Sequence, residues 1–203
     1  MDLTTLSVEN VRSGLLKDQL PELYELQQVV ENNPWHDRET TFEHTLTVVS
    51  ALSEFIGQNE AIQKMLAEKV GNHTRLELLM LAAFFHDVAK KETMVVSGDR
   101  SSFSGHDKVG EEKVKPILNR LGLAENEQVR VAEIVGQHDY FHKSFDDAGN
   151  ILEQSLDRFR EMHPDILLET LLISLVDTST SYLKVTKPEQ YQKRIEFYQA
   201  NLT

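Results

Sequence analysis

Cysteine is absent from the 203-residue chain. This excludes disulfides and thiolate metal sites, and leaves a metal ion only imidazole and oxygen donors. The absence is compatible with a reducing cytoplasm, where the chain is expected to reside. Long apolar runs are also missing, since the most continuous one, Leu78 through Phe85, has eight residues, far short of the roughly 20 needed to span a bilayer. Met1 to Gly14 lacks a basic start followed by an apolar stretch, so no secretion signal is expected. Cations are scarce relative to acids, 21 against 33, for a net charge of −12 and a pI of about 5.1. Such a surface repels polyanions, which disfavours long nucleic acid as a partner. A small phosphorylated substrate fits better, and no membrane partner is expected.

What remains is one compact helical unit. Hydrophobic residues make up 40% of the chain, enough for a single core. Apolar spacing is helical nearly throughout, and no sustained strand-like alternation occurs, so the fold class expected is all-α. A helix follows Pro21 and runs to Asn32 and Asn33, with Pro34 to Asp37 as a connector. The next starts near Thr40 or Thr41 and ends before Gly57, carrying His44 in its first turns. A third runs from Ala61 to Gly71. The one from Thr74 into His86 and Asp87 is apolar nearly all round and therefore central. Gly98 to Gly105 reads as a polar loop, followed by helices at about 107–121 and 125–137. After a mobile-looking stretch from Lys143 to Asn150, further helices run to Met162, from Pro164 to Asp177 and from Pro188 onward. Residues 1–39 are expected to be a helical extension, 40–184 the core domain, and 185–203 a helix packed on its outside.

Chemistry concentrates at the ends of these apolar segments: His44, the adjacent His86 and Asp87, His106, His138 and Asp177. The His-Asp dipeptide occurs four times, at 36, 86, 106 and 138, so by itself it says little. Context discriminates, because His86 and Asp87 close a strongly apolar helix where an unpaired charge is costly. A carboxylate can bridge two ions through its two oxygens while a neutral imidazole binds one, and this assigns Asp87 as a bridge. On their own, a helical histidine such as His44 is more often a satisfied core residue and Asp177 a helix-end group; it is the pair at 86 and 87 that makes them ligands. His106 could instead cap its helix, and His142 could take the place of His138. His36, His73 and His163 read as loop or surface residues.

Phe42-Glu43-His44-Thr45-Leu46, Phe85-His86-Asp87-Val88-Ala89-Lys90, Phe103-Ser104-Gly105-His106, His138 and Val176-Asp177 together resemble the HD-domain phosphohydrolase superfamily. The His-Asp-x-x-Lys form and the Phe-x-Gly-His loop are most similar to the HD domain of bacterial tRNA nucleotidyltransferases. The resemblance covers residues 40 to 183 and implies a helical bundle in which His44, His86, Asp87 and Asp177 bind one divalent ion. By the same resemblance His106 and His138 bind a second ion that shares Asp87, and Lys90 approaches the substrate phosphate. Manganese, iron, nickel or magnesium all suit such donors. The segment before residue 40 has no room for a polymerase-type fold, so addition of nucleotides to tRNA is not expected. Val-Ala-Lys-Lys follows the central pair in place of the Glu-Asp of relatives that hydrolyse guanosine tetraphosphate, which disfavours that substrate.

The activity expected is metal-assisted hydrolysis of a phosphomonoester or phosphodiester in a small nucleotide-type substrate, with one or two ions. Asp87 and Lys90 are its central residues, Asp107 or Asp139 a proton relay, and Arg100 and Lys108 candidate phosphate contacts. The competing reading is an HD-like scaffold that binds a nucleotide or a protein without turnover. Oligomeric state is left open by the sequence.

Overall fold

A computed structural model describes residues 2–202. Its helices are α1 (Val8–Arg12), α2 (Pro21–Glu25), α3 (Thr41–Gly57), α4 (Glu60–Leu66), α5 (Arg75–Phe85), α6 (Lys90–Thr93), α7 (His106–Leu121), α8 (Glu125–Gln137), α9 (Tyr140–Lys143), α10 (Ser155–Met162), α11 (Leu167–Thr180), α12 (Leu183–Thr186) and α13 (Pro188–Ala200). Three two-stranded antiparallel hairpins interrupt them: β1 (Val30–Asn33) with β2 (His36–Thr40), β3 (Lys69–Val70) with β4 (His73–Thr74), and β5 (Val95–Ser97) with β6 (Arg100–Ser102). The architecture is all-α, with the hairpins as connectors. No helix among the described residues is long and apolar enough to cross a membrane.

The central helix is α5, as its composition requires. Thr74 starts it with a reciprocal cap: its hydroxyl accepts from the Glu77 amide at 3.2 Å, and the Glu77 carboxylate accepts from the Thr74 amide at 2.7 Å. Such a box satisfies donors that the first turn leaves free. Beyond it Leu78, Leu79, Leu81, Ala82, Ala83, Phe84 and Phe85 have no exposed surface. Each large side chain among them contributes roughly 1.5–3 kcal/mol by leaving water. Helix α5 packs between α3 and α8, α3 packs also on α11, and α11 carries α13. Helices α7 and α8 form an antiparallel pair whose turn is Gly122 in the left-handed region (φ 80°), which lets its amide close onto Asn119 O.

Two expectations fail at the start of the chain. The helix after Pro21 ends at Glu25, passes through one 3-10 turn over Leu26–Gln28 and gives way to β1. Pro34 to Asp37 is then the turn and opening of a hairpin instead of a plain connector. Its ladder carries a bulge between Glu31 and Asn32, matched by Arg38 in the left-handed region (φ 55°). The second difference follows from it: the hairpin turns Glu31 and His36 inward, and both are buried.

The loop at 98–105 is in part the β5–β6 hairpin, which turns at Gly98 and Asp99. The Lys143–Asn150 stretch is held in place, with Asp146 Oδ1 accepting from the amides of Ala148 and Asn150 at 2.9 and 2.8 Å. Lys193 of α13 donates to Ala148 O and Asn150 Oδ1 at 2.9 and 2.8 Å. Helix α13 lies against α11, yet Arg194 and Tyr198 are buried, so it does more than cover the outside.

Candidate metal centre

The bundle gathers the chemical residues at one end. His44 is in the first turn of α3, His86 and Asp87 directly follow α5, His106 begins α7, His138 directly follows α8, and Asp177 is in the last turn of α11. All six residues named from the sequence come together here. Asp87 lies at the middle. Its Oδ2 is 3.1 Å from His86 Nε2 and 3.8 Å from His44 Nε2, and its Oδ1 is 3.2 Å from His106 Nε2 and 3.7 Å from His138 Nε2. Asp177 Oδ1 lies 2.9 Å from His44 Nε2. Two donor groups, His44–His86–Asp87 and Asp87–His106–His138, thus share one buried carboxylate.

The hydrogen bonds of the imidazoles decide which nitrogens are free. Nδ1 of His86, His106 and His138 donates to the carbonyls of Ala83, Phe103 and Val135 at 2.7, 2.9 and 2.7 Å. A carbonyl only accepts, so each Nδ1 carries a proton and each neutral ring keeps a lone pair at Nε2. His106 Nε2 and His138 Nε2 then face one another at 3.1 Å, an arrangement that needs a proton or a cation between them. His44 Nε2, His86 Nε2, Asp87 Oδ2 and Asp177 Oδ1 are buried without a hydrogen bond of proper direction. Buried polar atoms in such numbers call for a missing partner. Imidazole and carboxylate donors that converge this way fit divalent ions of the first transition row or magnesium.

Electrostatics follow from this crowding. Burial disfavours charge on His86, but the Asp87 carboxylate outweighs it and lifts the imidazole to about 9. His138 goes the other way, to about 4, because burial is reinforced by His106 and His86. Burial opposes ionisation of Asp87 and Asp177, yet His86 and Lys90 hold the first, and His142 and His44 the second, well below the usual carboxylate range.

Several functional contacts were not read from the sequence. Glu31 from β1 is fully buried and accepts from Lys90 Nζ at 2.8 Å and Thr41 Oγ1 at 2.7 Å, with His36 Nε2 at 3.2 Å. His36, expected at the surface, bridges Glu31 to Glu39 (Nδ1 to Oε1, 2.8 Å) and packs edge-on against the His44 ring. Lys90 Nζ sits 2.7 Å from Asp87 Oδ2, and these two carboxylates keep it charged despite burial. The lysine that sequence aimed at a phosphate is therefore also the counter-ion of Asp87. His142, the alternative to His138, faces the other carboxylate: its Nε2 lies 2.9 Å from Asp177 Oδ2. Lys143 pairs with both Asp107 and Asp139 at 2.9 and 3.0 Å. Arg100 and Lys108 are exposed and line no part of the cavity, while His73 and His163 pair with Glu127 and Glu133 elsewhere.

A cavity of about 430 Å³ opens onto Asp87, His106, His138 and Asp177, with Lys90, Trp35 and Arg194 among its walls. The HD-domain family model matches residues 41–180, which contain all six clustered ligand candidates. The chain belongs to the HD-domain family. It is also similar to the A-adding tRNA nucleotidyltransferase of Deinococcus radiodurans, 33% identical over 156 residues that cover 76% of this chain and 31% of that protein. The chain thus corresponds to about a third of that relative's length. Within the HD-domain match lie α3 through α11, so the bundle and its donor residues belong to the family, whereas the Glu31–His36 hairpin and α13 flank it.

Proposed function

We propose that the protein is a metal-dependent phosphohydrolase that cleaves a phosphomonoester or phosphodiester of a small nucleotide-type substrate. The observation that carries this reading is the position of Asp87, whose two oxygens face two separate sets of imidazoles across distances of 3.1 to 3.8 Å. In this reading His44, His86, Asp87 and Asp177 hold one ion, and His106 and His138 hold a second that shares Asp87. Manganese, iron, nickel and magnesium suit the donor set. Bound divalent ions supply a nucleophile at neutral pH and positive charge against the phosphoryl oxygens.

The protein's own residues do the rest. Asp87 is fixed by Lys90, and Lys90 by Glu31, so the bridging carboxylate keeps its charge and direction. Lys90 also lines the cavity and offsets charge on the substrate. Asp139 lies on the cavity wall, and Asp107 beside it is tied to the same lysine; the two carboxylates are the groups placed to pass protons. The net charge of −12 supports a small substrate over a long nucleic acid.

The test is elemental analysis of freshly purified protein, coupled to a hydrolysis screen over nucleoside monophosphates, cyclic nucleotides and dinucleotides. The wild type is expected to carry divalent metal and to turn over at least one class, and Asp87→Ala is expected to lose both together. A metal-loaded wild type that hydrolyses none of these classes refutes the hydrolase reading. Hydrolysis that survives in Asp87→Ala refutes the assignment of the site.

A further inference from the structure

Arg194 of α13 is a buried cation whose surroundings supply no counter-ion. Only 5% of the residue is exposed. No carboxylate among the described residues lies within ion-pair distance of its guanidinium, Asp139 being committed to Lys143. The guanidinium lies over the Phe145 ring at 4.3 Å and the Trp35 ring at 5.0 Å, and donates to His142 O at 3.2 Å. Its Nε is buried without a hydrogen bond of proper direction, and the buried Tyr198 hydroxyl beside the guanidinium is a neutral neighbour that favours its charge without balancing it. A guanidinium deprived of water and of an acid is costly, and aromatic faces compensate only part of that cost. Arg194 nevertheless lines the cavity that opens onto Asp87 and Asp177, and exposed Lys187 lines it too, without an ion-pair partner among the described residues.

We infer that Arg194 and Lys187 form an anion subsite, with Trp35 as its aromatic wall, that holds a second phosphate or carboxylate of the substrate while the scissile phosphate lies over the Asp87 cluster. A planar fork of donors suits a phosphate or carboxylate. Substrates with two separated anionic groups are therefore preferred over simple monoesters. All three residues lie outside the stretch matched by the HD-domain model, so the preference is set by the flanking hairpin and α13. The inference rests on the hydrolase reading for the word substrate, but its binding test does not.

Trp35 is the sole tryptophan of the chain, so its fluorescence reports on this wall. Metal-depleted full-length protein is titrated with adenosine 5′-monophosphate, adenosine and inorganic phosphate. The monophosphate is expected to change the emission saturably, inorganic phosphate to compete with it, and adenosine to leave the emission unchanged. Arg194→Met is expected to weaken the monophosphate about tenfold, the loss of a charge-assisted contact. Exposed Lys187→Met is expected to weaken it about threefold, and it keeps the question open to refutation if the buried variant does not fold.

In the metal-loaded enzyme, Arg194→Met lowers kcat/KM for a bisphosphorylated nucleotide about tenfold and spares its monophosphate. Equal binding of adenosine and its monophosphate, or unchanged affinity in both variants, overturns the subsite. Retained binding in a protein that hydrolyses nothing overturns only the hydrolase reading.

Discussion

The contact between Glu31, Lys90 and Asp87 is open to a quantitative test. The side chains are 0%, 8% and 2% exposed, and Lys90 Nζ lies 2.8 Å from Glu31 and 2.7 Å from Asp87. Glu31→Gln leaves Lys90 with Asp87 alone and puts an amide against Thr41 and His36 where a carboxylate accepted before. Removing one member of a buried charged set costs about 3–5 kcal/mol. Asp87 remains as a partner, which places the expectation near 3, a fall in Tm of about 6–12 °C for a chain of this size. Lys90→Met is worse, because two buried carboxylates then lack their shared cation.

In the double variant the uncharged amide at position 31 no longer needs that cation, so the two losses do not add, and the coupling in a double-mutant cycle is expected to exceed about 2 kcal/mol. Exposed pairs give only about 0–1 kcal/mol. Denaturant unfolding of the four proteins measures it. Additive losses, with a coupling under about 1 kcal/mol, would refute the network. The pH sign is fixed as well. Burial opposes the ionisation of Glu31, but Lys90 and His36 hold its carboxyl below its ordinary value of 4.5. Its contribution is therefore complete above 4.5 and is lost as pH falls through the lower folded value, and the gap between wild type and Glu31→Gln narrows accordingly.

Metal addition should raise the Tm by about 5–10 °C at a hundredfold excess over Kd, and the rise should vanish in Asp87→Ala; an equal shift in both proteins contradicts a site built on that carboxylate. Because Asp87 raises His86 to about 9, an ion that takes its Nε2 at pH 7 displaces a proton. Affinity is then expected to fall about tenfold per pH unit per displaced proton on acidification, and calorimetry in buffers of different ionisation heat detects the release or its absence. His138, pushed down to about 4, should be neutral at pH 7 with its proton on Nδ1, and a nitrogen spectrum that shows Nε2–H would contradict the bond to Val135 O.

The helical frame was legible because its signals are local. Period and caps place α3, α5, α7 and α8 within a residue or two, and the six clustered residues were readable because each ends or begins a helix. What escaped has a common cause. Val30–Asn33 and His36–Thr40 are short and mostly polar, so they show no alternation, and only their pairing around a bulge turns Glu31 and His36 inward. Arg194 escaped for a similar reason. Among Tyr191, Gln192 and Lys193 it reads as one more solvated charge, and only the close approach of Trp35 and Phe145 buries it.

The imidazoles divide into two kinds, and the division says which part of the site is fixed. A helix leaves its last four carbonyls without intrahelical donors. Ala83 O and Val135 O belong to these, and His86 and His138, each at the first position past its helix, turn Nδ1 back onto them. His106 does the same to Phe103 O at the opening of α7. One bond thus satisfies a helix end and sets a tautomer, and no carboxylate is diverted to that task. His44 lacks such a carbonyl. Its Nδ1 has only Glu39 Oε1 at 3.9 Å, and its ring leans on His36, so its direction depends on the β1–β2 hairpin. The hairpin also provides Glu31 for Lys90. Changes in that hairpin therefore reach His44, Lys90 and, through Lys90, one oxygen of Asp87. His138 rests on Val135 O of α8, away from the hairpin, whereas Phe103 O, which orients His106, follows directly on β6, and β6 packs on β1 and accepts from the Asn32 amide through Ser101 Oγ at 2.8 Å. The hairpin therefore bears on His44 and Lys90 through side chains and on His106 through β6, and His138 is the imidazole it leaves to the helical frame.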